Sequence, residues 1–174
     1  RLASMGLLLG MTPADPRTAR VLDVGCGSAL NLIAMAATLP DARFFGFDLA
    51  QTAVEQARSC IARLGLQNIR VEHMDLLEFP GDAGEFDYII AHGVFSWVPR
   101  NVQDAILQIC HDHLTPSGIA YISYNTNPGW RLRGMIRDLM TYRARKISNP
   151  AEKLRESRAL LDFLAESVPT KKPA

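Results

Sequence analysis

Three aspartates recur at matching places along the chain. Asp23 stands two residues ahead of Gly25, Asp48 closes the apolar run Arg43–Phe47, and Asp75 follows the run Ile69–His73. Gly25 and Gly27, with Cys26 between them, let backbone pass close to a ligand where a Cβ would clash. Amides at a following helix start can meet polar ligand groups. A strand-to-helix turn without any ligand uses the same glycines, so the turn alone is a weak signal. Dinucleotide binding wants G-x-G-x-x-G or A, and Leu30 in the sixth position fits neither. An acid before the glycines suits a cationic ligand end better than a pyrophosphate. Asp48 is placed to accept both hydroxyls of a ribose, and Asp75 to accept from an exocyclic amine. Singly, each acid reads as well as a solvated carboxylate or a helix cap. As a series at successive strand ends, the three point to one site.

These positions require alternating strands and helices. Arg20–Val24, Arg43–Phe47, Ile69–His73, Phe86–Ala91 and Ile119–Ser123 read as strands. Leu30–Leu39 and Thr52–Leu64 read as helices, the second stopped by Gly65. Val102, Ile106, Ile109 and His113 share a third helix face, with Asn101 and Asp104 as its cap pair. Leu2, Met5, Leu8 and Leu9 mark a helix ended by Gly10 and Pro13, and Thr115-Pro116-Ser117-Gly118 reads as a turn. The expected fold is α/β, a doubly wound, mostly parallel open sheet that binds ligands at the carboxyl ends of its strands. After the fifth strand the alternation stops. Pro128-Gly129 reads as a turn, Arg131–Lys146 and Asn149 to about Ala165 as helices, and residues 168–174 as a loose tail. The expected division is a core over 1–130 and a helical extension over 131–174.

The first loop has no basic residue to hold phosphate. Acids lining a nucleoside slot without a phosphate cradle point to S-adenosylmethionine. The stretches VLDVGCGSALNL, FFGFDLA, VEHMDLLEF and FDYIIAHGVFSWVP resemble successive motifs of the S-adenosylmethionine-dependent methyltransferases of the Rossmann-like class, from Arg20 to Ser123. The resemblance implies a cofactor set of Asp23, Gly25, Cys26, Gly27, Asp48, Leu49, Asp75, Leu76 and His92. One departure is Ala29, where that family usually has a third glycine. The resembled fold has two strands beyond the fifth, so the chain reads as a fragment with five strands present. AHGVFSWVP together with SYNTNPGWRLRGMIRDLM resembles bacterial methyltransferases carrying a methyltransferase regulatory domain. That group includes lysine methyltransferases of outer-membrane proteins. The implied activity is protein lysine N-methylation, with a regulatory or substrate region beginning in the extension. A small-molecule or RNA methyltransferase and a non-catalytic cofactor-binding module remain the alternatives.

An amine acceptor must lose a proton before attack. Tyrosine or histidine can position it, and aromatic faces can hold its cation. His92, Tyr124 and Asn125 follow the fourth and fifth strands and are the expected catalytic residues. His92 reads equally as a loop-fixing histidine. Phe95 and Trp97 share its loop, one of them as core. Asn127 reads as structural, and Cys26 as a small packing residue without a base partner. His111-Asp112-His113 lies at a helix end, where cationic histidine is favoured anyway, and no metal is expected.

Composition bounds the rest. The 174 residues are 48% hydrophobic and 21% charged, which excludes a disordered chain. No run reaches a membrane span, so membrane insertion is not expected. A net charge of +1 makes no case for nucleic acid. Residues 1–130 hold 8 basic against 13 acidic residues, and 131–174 hold 11 against 5. The basic stretch with Arg131, Arg133 and Arg137 reads as a solvated helix face, or as a dock for an acidic partner. The apolar stripes beside it suit a missing domain or a second copy of the chain. Three separated cysteines suit a reducing cytoplasm.

Overall fold

The computed structural model describes residues 1–167; the tail 168–174, read as loose, lies outside the described residues. Five strands form one sheet: β1 (Arg20–Val24), β2 (Arg43–Asp48), β3 (Ile69–His73), β4 (Phe86–Ala91) and β5 (Leu114–Ile122). Their order is β3-β2-β1-β4-β5, and every pairing is parallel. The chain doubles back at β1, so its next strand in space is β4. In such sheets a ligand crevice opens outside the carboxyl ends at that switch.

Strands buried on both faces divide their side chains by the two-residue period. Val21 and Tyr88 join one core with α2 (Leu30–Thr38) and α3 (Gln51–Leu64). Leu22, Val24, Ile89 and Ala91 join the other with α4 (Arg100–His113). Full burial of Leu22, Ile89 and Ile106 contributes about 1.5–3 kcal/mol each. Gly65, at φ 65°, ends α3 as expected, with Leu66 N donating to Ile61 O at 3.3 Å. The Asn68 amide then ties α2 to β2, donating to the carbonyls of Ala36, Leu39 and Ala42 at 3.0–3.1 Å.

Two local expectations are corrected. Thr115–Gly118 is not a turn ahead of the strand but a bulge inside it. Phe86 pairs with Leu114 and Tyr88 with Ile119, so a short step on β4 faces a long one on β5. Asn101 and Asp104 form no cap pair. Pro99 takes the N-cap place, its carbonyl accepts from Val102 N and Gln103 N at 3.0 Å, and Asp104 pairs with Arg100 at 3.1 Å. The helix expected at the start of the chain is present as α1 (Leu2–Leu8), with Met5, Leu8 and the following Leu9 exposed. Gly6 is the buried residue, because a Cβ there would meet Ile119 at 2.7 Å.

The second of the chain's two units begins at Asn125. The expected turn is present at Asn127-Pro128 and runs straight into a helix that starts at Gly129. α5 spans Gly129–Ala144, with Arg131 N donating to Pro128 O at 3.0 Å. α6 spans Pro150–Ser167 and is capped by the Asn149 side chain, which accepts from Ala151 N at 2.9 Å. Arg143 pairs with Glu156 across the two helices at 3.0 Å. No helix of the described residues is long and apolar enough to cross a membrane.

Candidate functional site

Parallel β1, β2 and β3 bring the carboxyl-end acids to one edge of the first unit. Asp23 is 7% exposed, in register with Gly46 on β2 and Ile90 on β4. Burial pushes its carboxyl up to about 7, and the Asp48 charge adds to this.

The glycine turn is laced to β2. Gly25 N and Cys26 N donate to Phe47 O at 2.9 and 3.0 Å, and Gly27 N donates to Asp48 Oδ2 at 2.7 Å. Asp48 Oδ1 accepts from Ala50 N at 2.8 Å. Asp48 is therefore a brace for the turn, and each of its oxygens keeps a second lone pair for a ligand hydroxyl. Those three amides are engaged within the protein, so the turn offers shape more than donors. Gly25 lies at φ 70°, and a Cβ there would fall 2.5 Å from Val94 Cγ2. Ala29, at the N-cap of α2, also takes a left-handed φ of 53°. This is why glycine is usual there; a Cβ in that region costs about 1–2 kcal/mol.

Cys26 packs on β2, its Sγ 3.0 Å from where a Gly46 Cβ would sit. Burial, then the charges of Asp23 and Asp48, push its thiol up to about 12. Held protonated, it is a packing group and no nucleophile. Asp75 caps the 3-10 turn Leu76–Glu78, its Oδ1 accepting from Leu77 N at 2.9 Å, and leaves Oδ2 for a ligand.

A cleft of about 420 Å³ opens at this edge, the size of a small-molecule site. Five of the expected residues line it: Gly25, Asp48, Leu49, Asp75 and Leu76. Asp23, Cys26, Gly27 and His92 are not on its wall. Val94, Trp97, Val98 and Val102 also line it, and the sequence reading gave none of them a cofactor role. The only local signal for them was the aromatic at 97 after a strand end. The lining fits a nucleoside: the carboxylates of Asp48 and Asp75, an apolar wall and a glycine too crowded to carry a Cβ.

His92 directly follows β4, and Tyr124 comes two residues after β5. His92 is exposed and stacks on Tyr121, centroids 5.8 Å apart and planes at 25°. Tyr124 is exposed, 6.4 Å from the Phe95 ring at 59°. Asn125 opens the second unit. His113 is buried, with Nδ1 2.8 Å from Gly84 O and its ring against the edge of Phe79. His111 instead pairs with Asp112 at 2.8 Å.

Residues 21–118 match the family model described as a methyltransferase domain. The uncharacterized protein RP028 of Rickettsia prowazekii is 39% identical over 167 residues, which are 96% of this chain and 67% of that protein. RP789 of the same organism is also 39% identical over 167 residues, but these are 30% of its length. The solved structure of PKMT2 from Rickettsia typhi in complex with AdoHcy superposes with a TM-score of 0.83 at 37% identity, covering 99% of this chain and 33% of that one. The chain thus spans two thirds of one relative and about a third of the others. With the cleft, the strand order and these likenesses together, the chain belongs to the methyltransferase-domain family, in its S-adenosylmethionine-dependent, Rossmann-like class.

Proposed function

We propose that this protein transfers the methyl group of S-adenosylmethionine to the amine of a protein lysine. The observation that carries the reading is the cleft of about 420 Å³ with Asp48 and Asp75 on its wall, at the strand ends where β1 carries the buried Asp23 two residues before Gly25. The PKMT2 likeness supports the protein acceptor. When bound, the cofactor supplies an already activated methyl on a sulfonium, so the chain mainly orients and desolvates. In this reading Asp23 gives up its proton to hold the cationic amino end. Asp48 accepts the ribose hydroxyls, and Asp75 accepts from the adenine amine. His92, steadied by Tyr121, takes the proton of the acceptor ammonium, and the Phe95 and Tyr124 rings face the cation. Asn125 is a further proposed acceptor contact, and the helices after it are the proposed start of a substrate or regulatory region.

The test is a methyl-transfer assay on lysine-containing proteins, read by mass spectrometry. Methyl-lysine should form. Tyr124→Phe and His92→Ala should lower kcat while the S-adenosylhomocysteine Kd holds. Methylation confined to small molecules or RNA would replace the acceptor. Cofactor binding without transfer to any acceptor would favour a regulatory module.

A further inference from the structure

The loop between β4 and α4 gives the cleft Val94 and Trp97, and it is held from outside. Inside the turn Phe95–Trp97, Trp97 N donates to Val94 O at 2.8 Å. At the loop's start, Gly93 N donates to Ser123 Oγ at 2.8 Å. Across the turn, the side-chain amide of Gln103, one turn into α4, donates to Phe95 O at 2.8 Å and to Val98 O at 3.3 Å. Those two carbonyls flank Trp97 on either side in the chain. Gln103 itself does not line the cleft.

We propose that Gln103 is a positioning residue for the cofactor: its amide fixes the turn so that Trp97 and Val94 stand as a ready-made wall for the nucleoside. The proposal rests on reading this cleft as the S-adenosylmethionine site. Ordering this turn on binding would come at the expense of ligand affinity, and prior fixing removes that cost. Trp97 lines the cleft and is 54% exposed, and an aromatic wall suits a flat base. Val94 has no slack toward the glycine turn, since a Cβ at Gly25 would lie 2.5 Å from it. A shift of the turn therefore changes the cleft from two sides.

The experiment uses Trp130→Phe as parent, which leaves Trp97 as the one tryptophan. S-adenosylhomocysteine is titrated into the parent and into the same protein carrying Gln103→Met, which keeps side-chain length and loses both donors. The parent's Trp97 emission should change on saturation. With Gln103→Met, Kd should rise roughly 10-fold, and the ligand-free Trp97 emission should shift to the red. Should Gln103→Met not fold, Gln103→Glu, which cannot donate when ionised, is measured with the same expectation. An affinity within twofold of the parent overturns the proposal. So does lost affinity with unchanged Trp97 emission, which would make Gln103 merely structural. No response in the parent would instead remove the cofactor from this cleft, and the proposal with it.

Discussion

At Asp23, burial works against the charge that its proposed role requires. Below about pH 7 the folded protein keeps a proton on this carboxyl, whereas the unfolded chain releases it near 4. The folded state thus binds more protons in that window. Asp23's contribution to stability is full below about pH 4 and is lost as pH rises through 7. Removing the buried charge with Asp23→Asn should therefore stabilise the ligand-free protein more at pH 8 than at pH 5. At about 1.36 kcal/mol per pKa unit, the ceiling on that gain is ~4 kcal/mol. A cationic ligand end should also drive the proton off. Calorimetry at pH 6 in buffers of different ionisation enthalpy should show S-adenosylhomocysteine binding releasing close to one proton in the wild type and none in Asp23→Asn. A stability gap that stays constant with pH, or equal proton release, would leave Asp23 outside the site. The presence of an acid at 23 was legible in the sequence. Its protonation was not, because that depends on how completely β2 and β4 enclose it and on Asp48, 25 residues away.

At the level of elements, the same amide chemistry serves two ends of the sheet. Gln103 holds the loop at the carboxyl edge, and Asn68, just before β3, holds the amino-terminal side. Asn68 satisfies three carbonyls around the end of α2 and the turn into β2. Each such bond contributes a net ~0.5–1.5 kcal/mol, so Asn68→Ala should cost about 2–3 kcal/mol in urea unfolding. S-adenosylhomocysteine affinity should stay within twofold, because the cleft is built at the opposite strand ends. A parallel loss of affinity would show that α2's anchoring reaches the glycine turn. Apolar periodicity located β1 to β4 and the helices α2 to α4, since period 2 and period 3.6 are local properties. It missed the true start of β5. Thr115-Pro116-Ser117-Gly118 carries turn chemistry, and only pairing with Phe86 and Tyr88 draws the residues before it into the sheet as a bulge.

On the scale of the whole molecule, the cleft and its braces lie within Arg1–Tyr124, while α5 and α6 form the second unit. A chain ending at Tyr124 should therefore bind S-adenosylhomocysteine within about twofold of the 174-residue protein, as measured by calorimetry. A folded 1–124 chain with tenfold weaker binding would show that the second unit contributes to the cofactor site. By itself, the sequence determined the α/β alternation, the parallel sheet and the cofactor class. Glycine turns, strand-end acids and short apolar runs are read from neighbouring residues, and parallel topology obliges the strand ends to share an edge. Tertiary structure decided the rest: Asp48 bracing Gly27, Val94 crowding Gly25, Gln103 holding the turn around Trp97, and the proton on Asp23. Each of these depends on burial or on a contact between residues apart in the chain, and no local pattern encodes such a distance.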